Sequence, residues 1–335
     1  MMNTELVLWV SLAIGLLFGM SGQLSGFCFY RGLTERWSGR SGYKLQGFAL
    51  ALAVALAGTQ LAAGSGLISL DKVLYLNPTF SWLLVPVGGV LFGIGMTLAN
   101  GCGARALILL GQGNLRSFVV LLCLGIAAYM TLTGLLAPLR MNLAQVSSIT
   151  LPAVTLPAGP VRSIVIALLV AALIAFSLRP RLDGQRLSDL LAGAFIGLLI
   201  VAGWLTTGWL GDDPFEPVPV SSLSFVAPIG ESIQYAMIST GMSPRFTILM
   251  VAGVLAGSCL SALLRRRWKL EGFESPRHML RAMTGGTLMG VGGVLALGCT
   301  IGQGLSGLST LSATSLLAVL GIVIGSRLVW ARPNS

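Results

Sequence analysis

Long apolar runs, separated by short polar or glycine-rich punctuation, make up almost the whole chain. About 20 apolar residues in a helix cross the ~30 Å hydrocarbon core of a bilayer. Nine runs approach or reach that length: 5–27, 45–66, 82–99, 117–137, 161–178, 187–210, 246–264, 282–298 and 312–328. The pattern predicts an all-α polytopic membrane protein with about nine transmembrane helices. Composition agrees. Of the 335 residues 55% are hydrophobic and only 10% charged, with a mean hydropathy of +0.87. Soluble domains carry roughly 25% charged residues, so this chain cannot cover a soluble surface and its surroundings are the lipid bilayer.

The polar punctuation sets an orientation. With the N-terminus outside, 17 of the 21 Lys and Arg residues fall on the inner side, including Arg31, Arg36, Arg40 and Lys44 and the cluster from Arg265 to Arg281. Lys72, Arg140, Arg162 and Arg245 stay outside, as does the acidic stretch Asp212–Glu216. That bias follows the positive-inside rule with the C-terminus cytoplasmic. It accounts for the net charge of +10 without nucleic acid as a partner. The N-terminal run lacks the segmentation of a cleaved signal peptide.

Some connections are too apolar for solvated loops: Phe27–Leu33, Gly101–Gly113, Leu223–Gly241 and Gly298–Leu311. They are expected to be short re-entrant helices, because irregular backbone at membrane depth survives only where protein or a cavity supports it. Two of them follow a repeated tract. Gly88–Cys102 and Gly285–Cys299 match at nine of fifteen positions without a gap, and both end on Gly-Cys. The first copy runs inward and the second outward. The expectation is two inverted repeats around a linking helix, with residues 1–140 as one half, 141–186 as the link and 187–335 as the other half. Transporters recurrently use this architecture, with the substrate path at the repeat interface. Gly15-xxx-Gly19 is faintly echoed by Gly193-xxx-Gly197, a spacing that also serves simple helix packing.

Five cysteines are present, with no zinc spacing and no disulfide pattern. Cys123 and Cys259 lie inside uninterrupted runs and are assigned to packing, since cysteine behaves there as a small hydrophobe. Cys28, Cys102 and Cys299 lie at the breaks. A helix starting after each would aim free N–H groups at the thiol, favouring an anion there, and the adjoining Gly101 and Gly298 would let it approach the backbone. Cys28 and Cys102 both belong to Cys-x-x-Arg, which adds Arg105 to the candidate set. Cys28 has no cysteine counterpart in the second half; the candidate positions lie near Thr206 or within 222–228. There is no ATP-binding GxxxxGK[ST] tract, no carboxylate in the middle of a run, and no metal or hydrolytic constellation. His278, the single histidine, is expected in a solvated inner loop. No cofactor and no enzymatic activity are expected.

On Gly-Phe-Cys28, Gly93-x-Gly95…Asn100-Gly101-Cys102 and Gly290-x-Gly292…Gly298-Cys299 the chain resembles the YeeE/YedE family of sulfur-compound transporters, over nearly its whole length. The resemblance implies a bacterial inner-membrane importer of thiosulfate or a related small sulfur anion. It implies relay along the thiols of Cys28, Cys102 and Cys299 by transient S–H···S hydrogen bonds, with Gln303 at a polar position near the site and a TusA-like cytosolic sulfur carrier as partner. Members assigned to other sulfur or selenium species keep substrate identity open. A different class also stays open: a membrane-embedded sulfurtransferase holding a cysteine persulfide. A purely structural membrane subunit is disfavoured by the repeated cysteines.

Overall fold

A computed structural model describes residues 2–40, 42–71, 73–150, 159–179, 186–212, 218–273 and 275–331. Lys72, Arg181, Arg332 and Asp213–Glu216, used above for orientation, lie outside the described residues. The long helices are α1 (Met2–Ser25), α3 (Tyr43–Gly64), α4 (Leu84–Leu98), α6 (Leu115–Leu132), α8 (Pro160–Ser177), α9 (Arg186–Leu205), α11 (Phe246–Leu264), α12 (Pro276–Leu295) and α13 (Ala313–Trp330). Between them lie the shorter α2 (Phe29–Trp37), α5 (Gly103–Gly111), α7 (Ala137–Val146) and α10 (Val226–Ile238). Two π-helical turns, Thr206–Leu210 and Gly302–Gly307, complete the breaks.

Among the described residues, eight helical stretches are long and apolar enough to cross a bilayer. The protein is an all-α polytopic membrane protein. α12 is the ninth long helix; Arg277, His278 and Arg281 in its first two turns, and its many glycines, lower its hydropathy. The most apolar stretch is α8, of which only 6% is buried within the chain. It docks on α3, and the rest of its surface suits lipid.

The packing pairs recur in the two parts of the chain. α1 packs on α11 as α9 packs on α3, and α4 packs on α13 as α12 packs on α6. α2 adjoins α3 as α10 adjoins α11, while α4 and α12 cross one another. Glycines make that crossing close. A Cβ on Gly88 would lie 2.7 Å from the Gly292 carbonyl oxygen, and one on Gly292 2.7 Å from that of Gly88. Gly15 and Gly19 press on the Met250 and Val254 carbonyls of α11, and Gly193 and Gly197 on the Gly47 and Ala51 carbonyls of α3. Backbone-to-backbone approach through small residues is how helices associate where lipid removes the hydrophobic drive.

Some elements differ from the sequence expectation. α12 starts at Pro276 rather than 282, because Ser275 caps it, accepting from the His278 N–H at 3.3 Å, with proline in the first turn. His278 therefore belongs to a helix rather than a loop. α6 ends at Leu132, short of 137. Pro138 opens α7 instead, and Arg140 Nε and Nη2 donate to the Thr131 and Leu132 carbonyls at 3.1 and 3.3 Å, meeting acceptors that a helix end leaves unpaired. A two-stranded antiparallel sheet, β1 (Thr79–Ser81) with β2 (Ser148–Thr150), ties the α3–α4 connection to the residues after α7.

Candidate functional site

Both Gly-Cys tracts end their helix in the same way. At the end of α4 the Asn100 N–H donates to Thr97 and the Gly101 N–H to Met96. At the end of α12 the Leu297 N–H donates to Val294 and the Gly298 N–H to Gly293. This is the Schellman pattern, which places its penultimate residue in the left-handed region; Asn100 and Leu297 have φ of 57° and 59°. Asparagine tolerates that region, whereas a leucine there costs roughly 1–2 kcal/mol. The second break is held against that cost by packing, since Leu297 rests on the buried cluster of Phe80, Val85, Ala296 and Ala318.

Each break is followed by a new helical start, with a cysteine at its N-cap or, for Cys299, two residues before it. Cys28 caps α2 and Cys102 caps α5, both in extended backbone. Their carbonyls accept from the Gly32 N–H at 3.1 Å and the Ala106 N–H at 2.9 Å. The Cys299 carbonyl accepts from the Gln303 N–H at 2.7 Å as the π-turn begins. Each thiol faces the backbone N–H three residues on, of Arg31, Arg105 and Gly302. For Cys299 this is a hydrogen bond of 3.3 Å from the Gly302 N–H to Sγ. The three free thiols are 3%, 3% and 1% exposed. Cys123 and Cys259 are half-buried, in the uninterrupted α6 and α11.

The fold brings the three thiols into a series. The Cys28 and Cys102 thiols are within interaction range of each other, and Cys102 neighbours Cys299 electrostatically. At the Cys299 end stands Tyr75, buried, with its hydroxyl at Ser224 and its carbonyl accepting from Ser312 Oγ at 2.6 Å and Thr314 Oγ1 at 3.1 Å. At the Cys28 end stands Tyr30, with its hydroxyl at Thr97 and near Arg281. The Arg105 charge acts on both Cys28 and Cys102. Its aliphatic stem covers Gly101, where a Cβ would lie 3.0 Å from Cδ. Gln303, fully buried, covers Gly298 in the same manner, with Cγ 3.2 Å from where a Cβ would stand. Its Nε2 donates to the Ala296 carbonyl at 2.6 Å, bracing the end of α12 across the break. Six of the seven residues read as candidates from the sequence thus lie at the two Gly-Cys breaks or on the chain that follows them, and Cys28 lies at the separate break between α1 and α2.

The sequence reading missed Thr300, Tyr75, Ser224, Tyr30 and Thr97. Thr300 carried a faint signal, as the residue directly after Cys299. Its buried Oγ1 faces Cys102 without a hydrogen bond of normal geometry, and Gln303 Oε1 is likewise buried and unpartnered. Buried polar atoms are overwhelmingly paired, so two orphans beside the thiols mark a place suited to a polar guest. Phe225 is the N-cap of α10, and its backbone faces Cys299. Phe225 lies in one of the two segments proposed from the sequence. A thiol-lined series with backbone N–H groups aimed into it can hold a small soft anion by weak contacts, each breakable in turn.

Among the described residues there is no group of His, Cys, Asp and Glu fit to hold a metal ion. The profile of the sulphur transport family matches residues 24–328, a stretch containing all three thiols and both breaks. The chain is 26% identical over 337 residues to the thiosulfate transporter TsuA of Spirochaeta thermophila, across 96% of this chain and 97% of that protein. It is 23% identical over 352 residues to the thiosulfate transporter TsuA of Escherichia coli, across 96% and 95%. Matched by that profile over most of its length and built of apolar helices around paired breaks, the chain belongs to the sulphur transport family of multi-pass membrane proteins.

Proposed function

We propose that the protein imports thiosulfate across a bacterial inner membrane, with its N-terminus outside and its C-terminus cytoplasmic. The substrate passes Cys299, Cys102 and Cys28 in that order. The observation that carries this reading is the series of three buried thiols where helices break, Cys28 and Cys102 at N-caps and Cys299 two residues before one. Thiosulfate has a charged oxyanion end and a soft terminal sulfur. Backbone N–H groups at helix starts suit the first, and thiols donate weakly to the second. Weak serial contacts meet the general condition for conduction, binding firmly enough to enter and loosely enough to leave. The direction follows from the topology: Tyr75, beside Cys299, lies on the connection between α3 and α4 on the outer side, and Arg281, at the Cys28 end, lies on the basic inner side. The repeated packing pairs support a division into residues 1–140 and 187–335, inverted around 141–186.

Relay by hydrogen bonding leaves the cysteines chemically unchanged. Intact-mass measurement after exposure to thiosulfate is therefore expected to show no added sulfur; a lasting adduct of one sulfur would favour a sulfurtransferase instead. Inside, a small TusA-like sulfur carrier is the partner that receives the anion in this reading. Uptake of labelled thiosulfate, sulfate and selenium oxyanions into liposomes holding the purified protein tests the substrate. Thiosulfate is expected to enter fastest, and faster entry of sulfate or a selenium oxyanion would overturn the assignment.

A further inference from the structure

Beneath the first break the structure holds a cavity of about 530 Å³ that none of the three cysteines lines. The end of α4, α5, the start of α6 and the first turns of α12 enclose it. Its walls include Gly101, Arg105, Asn114, Arg116, His278 and Arg281, and among the described residues no acidic residue lines it. The nearby Glu271 is not part of the lining; its carboxylate accepts from the Asn114 amide at 2.8 Å. Arg116 is turned toward the Gly272 carbonyl. Among the described residues, no carboxylate pairs with Arg105 or Arg281. Uncompensated guanidinium groups in a recess lined by one sign of charge concentrate anions, and their planar forks suit oxyanions.

We infer that this cavity is a binding site for small oxyanion dianions on the inner face, distinct from the thiols and selective by charge rather than by sulfur. Arg105 and Arg281 hold the anion. Arg105 spans both places, since its stem covers Gly101 beside Cys102 while the residue lines the cavity. The site rests on the transport reading for its role, as the place where the anion waits before release. It makes a prediction opposite in kind to that of the relay. The thiols distinguish thiosulfate from sulfate, and the cavity accepts both.

Sulfate is therefore the probe, because the relay offers it no soft contact. The thermal unfolding midpoint of the purified, intact protein is followed as sulfate is added at constant ionic strength. A bound ligand stabilises in proportion to ln(1 + c/Kd), where c is the sulfate concentration, a curve that bends over at the half-saturating concentration and then rises logarithmically, unlike the general stabilisation by excluded salts. The rise is expected in the unaltered chain and also in the triple variant Cys28→Ser, Cys102→Ser, Cys299→Ser. Arg281→Gln should raise the half-saturating sulfate concentration about tenfold, the lower end for one charge-assisted hydrogen bond, and Arg281→Lys should raise it less. An identical sulfate response in Arg281→Gln and the unaltered chain would overturn the site. A second measurement stands even where Arg281→Gln fails to fold. Ala282→Cys, on the cavity wall, is expected to be shielded from an impermeant maleimide by sulfate, while Leu270→Cys, exposed outside the cavity, is not. Equal labelling of both with and without sulfate would refute the proposal. Normal uptake by the cysteine variants would sink the relay yet leave sulfate protection intact, so the two readings fail separately.

Discussion

Replacing Cys102 by alanine separates a thiol that acts from a thiol that packs. The side chain is 3% exposed, and the change removes one heavy atom. Lost transfer energy and a small cavity together cost about 1 kcal/mol, so most of the protein still folds. The transport cost is larger. Cys102 is the middle member of the series, within interaction range of Cys28 on one side and of Cys299 and Thr300 on the other. A dianion at that depth has shed its water, and losing one hydrogen bond to a charged group there costs about 1.5–3 kcal/mol. If that contact lies at the rate-limiting crossing, uptake falls roughly 10- to 150-fold. No parallel route compensates in a serial path, so the fall is expected in full. Serine refines the test, because it keeps a donor of similar size and loses the soft sulfur; Cys102→Ser is expected to fail nearly as badly. The assay is initial uptake of labelled thiosulfate into proteoliposomes, normalised to folded protein. Cys299→Ala should match Cys102→Ala, Cys28→Ala should be severely impaired, and Cys123→Ala and Cys259→Ala should keep most activity. Near-normal uptake by both Cys102→Ala and Cys299→Ala would return these residues to packing.

Added outside, sulfate should compete poorly for uptake because it lacks a terminal sulfur; competition equal to that of unlabelled thiosulfate would show that the thiols do not select the substrate. Topology is open to cysteine labelling in intact cells, where an impermeant reagent should reach Ser243→Cys but not Leu270→Cys, both at exposed positions; the reverse pattern would invert the orientation. Gly93→Ala would place a Cβ 2.1 Å from the Ile322 carbonyl oxygen, an overlap only helix separation can relieve, so the yield of folded protein should drop sharply. Gly64→Ala, with nothing within 4 Å of the new atom, should hold or raise the thermal midpoint, through about 0.4–1 kcal/mol of reduced unfolded-chain freedom; comparable yields for the two variants would show that the α4–α13 contact is not as close as described.

Much of this protein was legible in the chain alone, because membrane insertion is governed by local properties. Apolar runs of spanning length gave the helices to within a few residues, and glycine followed by cysteine marked both breaks. The repeated fifteen-residue tract folds alike in both copies, with matching Schellman ends at Asn100 and Leu297. The two displaced helix ends are local in origin as well, set by Ser275 as a cap and Pro138 in the first turn of α7. Tertiary structure alone decided what adjoins what. Cys102 and Cys299 come within electrostatic reach in a bundle where α4 and α12 cross glycine on glycine, and no periodicity within one helix records which partner its glycines meet. Phe225, at the N-cap of α10, meets Cys299 through its backbone, so its residue type gave no sign of the contact. Tyr75 reaches Cys299 from a connection more than 200 residues away in sequence, and Arg105 and Arg281 share one cavity only after α5 and α12 have packed around it. Spans and breaks follow from each segment's own transfer energy, whereas a site depends on contacts between segments, and those exist only in the assembled bundle.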